Sequence, residues 1–195
     1  MVRQYLLQDA PSAVLRCLCM RKMSGEELLA EYAEGQRNFR EVDLSQADLF
    51  GCNLQDIDLQ GSNLSQAYLP YVNLSRANLR DVQLQEAELS NARLQLADLT
   101  QTDLRRANLS RADLRYSRLD GATLVEANCQ SADFRFANLS AADLSYANFG
   151  NTNLEQAKFV QTILHACNFA RAQSADLGGA IPDDMTIFPD GHRSS

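Results

Sequence analysis

Residues 97–116 read Ala97-Asp98-Leu99-Thr100-Gln101, Thr102-Asp103-Leu104-Arg105-Arg106, Ala107-Asn108-Leu109-Ser110-Arg111, Ala112-Asp113-Leu114-Arg115-Tyr116. A large apolar residue returns at every fifth position, and the spacing holds without a slip from Phe39 to Phe169. Those 27 positions are 21 Leu, five Phe and Cys129. Two residues before each stands a small or β-branched side chain, with Ala at 15 of the 26 such positions from 42 to 167. The residue between the two is mostly Asp or Asn, and the other slots are mostly polar.

A period of five rejects both regular elements. On an α-helix, successive leucines would rotate by about 140° and wind around the whole surface. On a continuous strand, an odd period would send alternate leucines to opposite faces. A short extended piece followed by a corner satisfies every repeat: the small residue and the Leu point inward together, and the Asp or Asn between them points out. Gly51, Gly61, Gly121, Gly150, Asn91 and Asn151 fall in the two corner slots and suit turns. One such coil cannot bury its own leucines, whereas stacked coils bury them in a continuous column and pair their backbone groups. The fold class expected is a parallel β-solenoid, all-β.

Composition narrows the function. The 195-residue chain carries 18 Lys plus Arg against 25 Asp plus Glu, a net charge of −7, so no nucleic-acid partner is expected. No stretch approaches the roughly 18 uncharged apolar residues of a membrane span, and no membrane partner is expected. The apolar run Ala13-Val14-Leu15 is cut by Arg16 with no small-residue cleavage site after it, so no signal peptide is read. Five cysteines, Cys52, Cys129 and Cys167 far apart among them, fit reduced thiols in the cytoplasm, and Cys17 and Cys19 lack the spacing of a zinc site. The three repeat cysteines fall in inward slots and are expected to be buried and inert. With two His, no Trp and no catalytic motif, an enzyme is not expected, nor a cofactor, a metal site or a catalytic residue.

The A(D/N)Lxx repeat resembles the pentapeptide-repeat family. The resemblance implies a right-handed quadrilateral β-helix with four repeats per twenty-residue coil. Residues 37–171 would then make about 27 repeats, near seven coils, a rod of roughly 32 Å at ~4.8 Å per coil. Ser24 with Glu27 reads as a capping box for a helix over Gly25–Glu34, ended by Gly35. Residues 23–35 resemble the start of cyanobacterial members. Residues 1–36 thus form an N-terminal helical segment and cap, in which residues 1–22 are either an added helix around Ser12–Arg21 or a start assigned too far upstream. After Phe169 the register breaks, and residues 172–195 read as a C-terminal cap or tail. Ile181, Met185, Ile187 and Phe188 either cover that end or meet a second copy, since the resemblance implies homodimers through it.

Side chains twenty residues apart are expected to stack, so the outer surface reads in columns. Leu96, Tyr116 and Phe136 form one, with Arg76, Arg93, Arg115 and Arg135 on the same face. Exposed aromatic and Arg residues are the composition of a protein interface, although such rings also stabilise adjacent coils. Arg105, Arg106, Arg111, Arg115 and Arg118 belt one coil and are expected to pair partly with Asp103, Asp113 and Asp120. Phe50, Tyr68, Pro70 and Tyr71 are expected to pack under the N-terminal segment. Asn108, Asn128, Asn148 and Asn168 form a ladder expected to bond the turn backbone, and His165 reads as plain surface. The function expected is a non-enzymatic rod presenting one face to an unknown protein partner. The alternative, from the resemblance, is a duplex-DNA mimic acting on a type II topoisomerase such as gyrase, yet residues 37–171 hold 16 acids against 13 bases, a weak surplus.

Overall fold

A computed structural model describes residues 20–193. They build a right-handed, four-sided parallel β-helix in which each side is a single bridge position and its partner lies twenty residues on, as in Asn108 with Asn128 and Asn128 with Asn148. The Leu, Phe and Cys129 of the repeat from Phe39 to Phe169 are all buried, as is nearly every small residue two before them.

The repeat at residues 108–112 shows why the sequence folds this way, because all five of its N–H groups find acceptors. Asn108 N–H donates to the Ala87 carbonyl at 2.9 Å and Leu109 N–H to the Asn128 carbonyl at 2.7 Å, one coil below and one above. Ser110 N–H donates to Asn108 Oδ1 at 3.1 Å. Arg111 N–H donates to the Gln130 carbonyl at 3.0 Å, and Ala112 N–H closes the corner on the Leu109 carbonyl at 3.0 Å. The preference for Asp or Asn before the Leu follows: a short side-chain oxygen there takes the one N–H that the ladder leaves over. Buried hydroxyls in the small slot are also satisfied, as where Thr102 donates to the Leu79 carbonyl at 2.7 Å.

The corner has the sign pattern of a type II turn, with a left-handed residue in its third position. Every fifth residue from Glu41 to Arg171 has φ between 51° and 70°, and only Gly51, Gly61 and Gly121 among them are glycine. Gly150 is not left-handed, so glycine is a poor marker of this slot here. The left-handed conformation costs roughly 1–2 kcal/mol for an L-residue. It persists because the same residue's N–H completes the ladder to the next coil.

At the N-terminal end, strand β1 (Arg21–Lys22) pairs in parallel with β2 (Val42–Asp43), and helix α1 (Gly25–Ala33) lies between them in sequence. The helix around Ser12–Arg21 falls outside the described residues up to residue 19, and Arg21 itself is extended, because its backbone completes the ladder beside Val42. Helix α1 begins on a closed capping box: Glu27 N–H donates to Ser24 Oγ at 3.1 Å and Ser24 N–H to the Glu27 carboxylate at 2.7 Å. Gly25 is required by a close approach, since a Cβ there would lie 2.8 Å from the Asp48 carbonyl oxygen. Leu28 is fully buried and the Tyr32 hydroxyl donates to the Gln55 carbonyl at 2.8 Å, fastening the helix to the first coil. Cys129 and Cys167 are buried, and burial pushes both thiols up. Cys52 is only half-buried, contrary to expectation, because its slot faces the helical end of the stack rather than another coil.

Gln173 still bridges Asn153 across twenty residues, and beyond it the register contracts. Ile163 bridges to Ile181 and Asn168 to Ile187, 18 and 19 residues on, so the tail lies along the last coil by a shorter path. The chain then reverses: Phe188 N–H donates to the His192 carbonyl at 2.8 Å, and Ile187 bridges Arg193 in antiparallel sense.

Candidate functional site

The corner column that follows Asn53, Asn73, Arg93, Asp113 and Asp133 carries Asp56, Arg76, Leu96, Tyr116 and Phe136 in its left-handed slots. Leu96, Tyr116 and Phe136 are all exposed, and the two rings stack with centroids 4.7 Å apart and planes 5° from parallel. Below them Arg76 closes the column with two 2.7 Å bonds to Asp56.

Beside the ridge, Asp113 takes the Arg115 guanidinium on both oxygens, at 2.9 and 2.8 Å, and Asp133 takes Arg135 with bonds down to 2.7 Å. Partial burial pushes the Asp113 carboxyl up, but the Arg115 fork, the Arg115 backbone N–H and the Gln95 amide outweigh it and hold it below the ordinary carboxylate value. Two forks in successive coils fix each guanidinium while both arginine side chains stay partly exposed. Arg93 is exposed and has no ion-pair partner among the described residues. The predicted residues Leu96, Arg93, Arg115, Tyr116, Arg135 and Phe136 thus share one corner and its adjoining side.

Other predicted groups are placed as follows. The Arg belt is largely neutralised: Arg105 pairs with Asp103 at 2.6 Å, Arg106 with Glu126 at 2.9 Å, and Arg118 with Asp98 and Asp120 at 3.4 and 3.6 Å. Arg111 alone of that belt has no ion-pair partner among the described residues. Phe50, Tyr68 and Tyr71 form a cluster with ring centroids 6.1 and 5.8 Å apart, at one end of a shallow groove of 530 Å³. All three rings are exposed. Residues 1–19, the larger part of their expected cover, lie outside the described residues. The Asn ladder bonds the turns as expected, each Oδ1 accepting the N–H two residues on, and the Asn128 amide donates to Asn108 at 3.2 Å.

A family model of pentapeptide repeats matches in 8 copies, over residues 36–66, 57–95, 92–128, 132–172 and 142–181. The chain belongs to the pentapeptide-repeat family. A search of curated proteins finds no match. Among solved structures this pentapeptide-repeat chain is similar to HetL, a pentapeptide repeat protein involved in heterocyst differentiation regulation from the cyanobacterium Nostoc sp. strain PCC 7120, at 27% identity over 88% of this chain and 100% of that one, TM-score 0.45. It is also similar to Rfr23 from the cyanobacterium Cyanothece 51142, at 27% identity over 72% and 90% of the two chains, TM-score 0.39. A third similar structure is QnrB1, a plasmid-mediated fluoroquinolone resistance protein, at 15% identity over 80% and 87%, TM-score 0.43.

At the C-terminal end of the pentapeptide-repeat array, Ile181 and Met185 are exposed while Ile187 and Phe188 are half-buried. Ile187 lies over the last coil, where its carbonyl accepts the Phe169 N–H at 2.8 Å. His165 is not plain surface. Its Nε2 lies 2.8 Å from the Tyr146 hydroxyl and its Nδ1 lies 2.5 Å from Asp183 Oδ2. Columns spaced by twenty miss this cluster, because its members are 19 and 18 residues apart. The same blind spot hid Arg40 with Asp58 and Gln85 with Asp103, both 18 apart, in which a corner side chain reaches back over the neighbouring side.

Proposed function

We propose that this pentapeptide-repeat protein is a non-enzymatic, rigid interaction module that presents the Leu96, Tyr116 and Phe136 ridge, flanked by Arg93, Arg115 and Arg135, to a protein partner. The carrying observation is the ridge itself. Three large apolar side chains stay exposed in succession along one column of left-handed slots, where most other such slots hold polar or small residues. Rigid aromatic and Arg groups lose little entropy on binding, which suits an anchor. The ridge is convex, so the complementary partner presents an apolar groove with acidic groups at its rim, facing the guanidiniums.

Charge placement favours this reading over mimicry of duplex DNA. Duplex mimicry needs long acidic columns, whereas the only two acids in succession along a column, Asp113 and Asp133, are both occupied by arginines. Among the described residues no helix is long and apolar enough to cross a membrane. Unpaired thiols at Cys52, Cys129 and Cys167 support a cytoplasmic setting.

The test is an affinity capture from lysate of the source cells with two baits, wild type and a Tyr116→Ser, Phe136→Ser, Arg135→Glu variant with an unchanged circular dichroism spectrum. A protein held by the wild type and lost by the variant is the expected result. Identical sets of captured proteins would overturn the assignment of this ridge.

A further inference from the structure

Tyr146, His165 and Asp183 meet where the C-terminal tail lies against the last coil. Two bonds set Tyr146 on His165: the Tyr146 N–H donates to the His165 carbonyl at 2.8 Å, and the phenol oxygen lies 2.8 Å from Nε2. The rings stand edge to face, with centroids 4.9 Å apart. Behind the imidazole, Asp183 is fastened through Oδ1, which accepts the Ala166 and Met185 N–H groups at 3.0 and 3.2 Å and lies 2.8 Å from the Thr186 hydroxyl. Its other oxygen, Oδ2, is buried without a conventional hydrogen bond and has the imidazole Nδ1 at 2.5 Å.

This order of groups has a chemical consequence. The Ala166 N–H, with further help from the Thr186 hydroxyl and the Met185 N–H, outweighs partial desolvation and holds the Asp183 carboxyl below the ordinary carboxylate value, so it stays ionised. An ionised carboxylate against Nδ1 keeps the ring proton on that nitrogen and leaves the Nε2 lone pair facing the phenol. A hydroxyl, a base within hydrogen-bond reach and a third group orienting that base are the parts of an activated nucleophile. No Lys or Arg side chain is bonded to the three groups among the described residues. A hydroxyl paired with an imidazole that a carboxylate orients is the arrangement that serves acyl transfer, where the electrophile is a neutral acyl carbon.

We propose that Tyr146 is a covalent modification site, a phenol activated by His165 for acylation by an activated acyl donor, with Asp183 as the positioning residue. In the step, Nε2 of His165 takes the phenol proton while the phenol oxygen bonds to the acyl carbon. The bond from that carbon to the leaving group breaks, and the imidazolium returns the proton to the departing group. Asp183 comes from the tail and the other two from the coils, so the site is complete only while the tail is docked.

The molecule carries its own controls. Tyr68, Tyr71, Tyr116 and Tyr146 are 48%, 58%, 52% and 55% exposed, so access does not separate them, and among the described residues only Tyr146 faces an imidazole. The experiment treats the full chain with limiting N-acetylimidazole and follows acetylation of each tyrosine by peptide mass spectrometry. Tyr146 is expected to react about a hundredfold faster than the other three, the low end of what a positioned base supplies. In His165→Ala its rate falls to theirs, while the unchanged rates at Tyr71 and Tyr116 report an intact rod. Asp183→Asn lowers the advantage and shifts the imidazole 15N resonances away from a proton fixed on Nδ1. Equal rates at all four tyrosines in the wild type, or an advantage that survives His165→Ala, would overturn the proposal, and the first of these needs no variant.

Discussion

Leu109 and Leu96 are the same residue in two regions of one coil stack, and they meet opposite fates: Leu109 is 0% exposed and Leu96 is 57% exposed. Leu109 sits in the inward slot, where its side chain is enclosed by its own coil and the coils on either side. Leu96 sits in the left-handed corner slot, where its backbone serves the ladder and its side chain does not touch the core. Position in the five-residue repeat therefore decides burial, and residue type decides what each region can carry. The larger inward slot admits almost only Leu and Phe, while the corner admits Gln, Arg, Glu, Tyr, Phe and Leu alike.

Three substitutions test how far the two regions differ. The largest effect is expected from Leu109→Asp, which buries an unpaired carboxylate at the centre of the stack and costs upward of about 4 kcal/mol. Loss of the circular dichroism spectrum and of any cooperative melt is the expected outcome; a native-like melt would break the distinction between core and corner. Tyr116→Ser removes the ring stacked on Phe136 and is expected to cost about 1 kcal/mol, the size of an aromatic pair, with the fold intact. Urea denaturation reads that difference directly, and a cost as large as that of a core deletion would show the ridge to be structural. Ala141→Gly is the smallest. Relief of the left-handed backbone, φ 56° at Ala141, outweighs the greater flexibility of unfolded glycine by about 0.5 kcal/mol, so a slightly higher urea midpoint is expected.

Much of this arrangement was legible in the sequence, for a physical reason. A core built from one repeated contact writes the same residue at the same interval, so the inward slots from Phe39 to Phe169 could be read one by one. The Asn108, Asn128, Asn148 and Asn168 ladder was legible for the same reason, as was the capping box of Ser24 and Glu27. What could not be read lies where the interval fails. The tail takes a shorter path than a coil, so Asp183 reaches His165 across 18 residues, and nothing in a twenty-residue count brings them together. Corner side chains that cross to the adjoining side, such as Gln95 to Asp113, escape the count in the same way. The left-handed slot was hidden too. Its tolerance comes from backbone bonds that any L-residue makes, so it leaves no glycine signature. Cys52 was read as buried because its slot is inward, but that slot is only as deep as the structure stacked beyond it.

The left-handed corner slot also bears on how such a chain changes over time. In most folds a residue that binds a partner also packs, caps or turns, so altering the message disturbs the carrier. Here the peptide unit of residues such as Tyr116 does the structural work, and the side chain is left free for other chemistry. A lineage can rewrite one corner letter at a time without renegotiating the interior, since the left-handed backbone costs one L-residue about what it costs another. The rod behaves as a printed strip, whose paper is the Leu column and whose ink is every fifth residue.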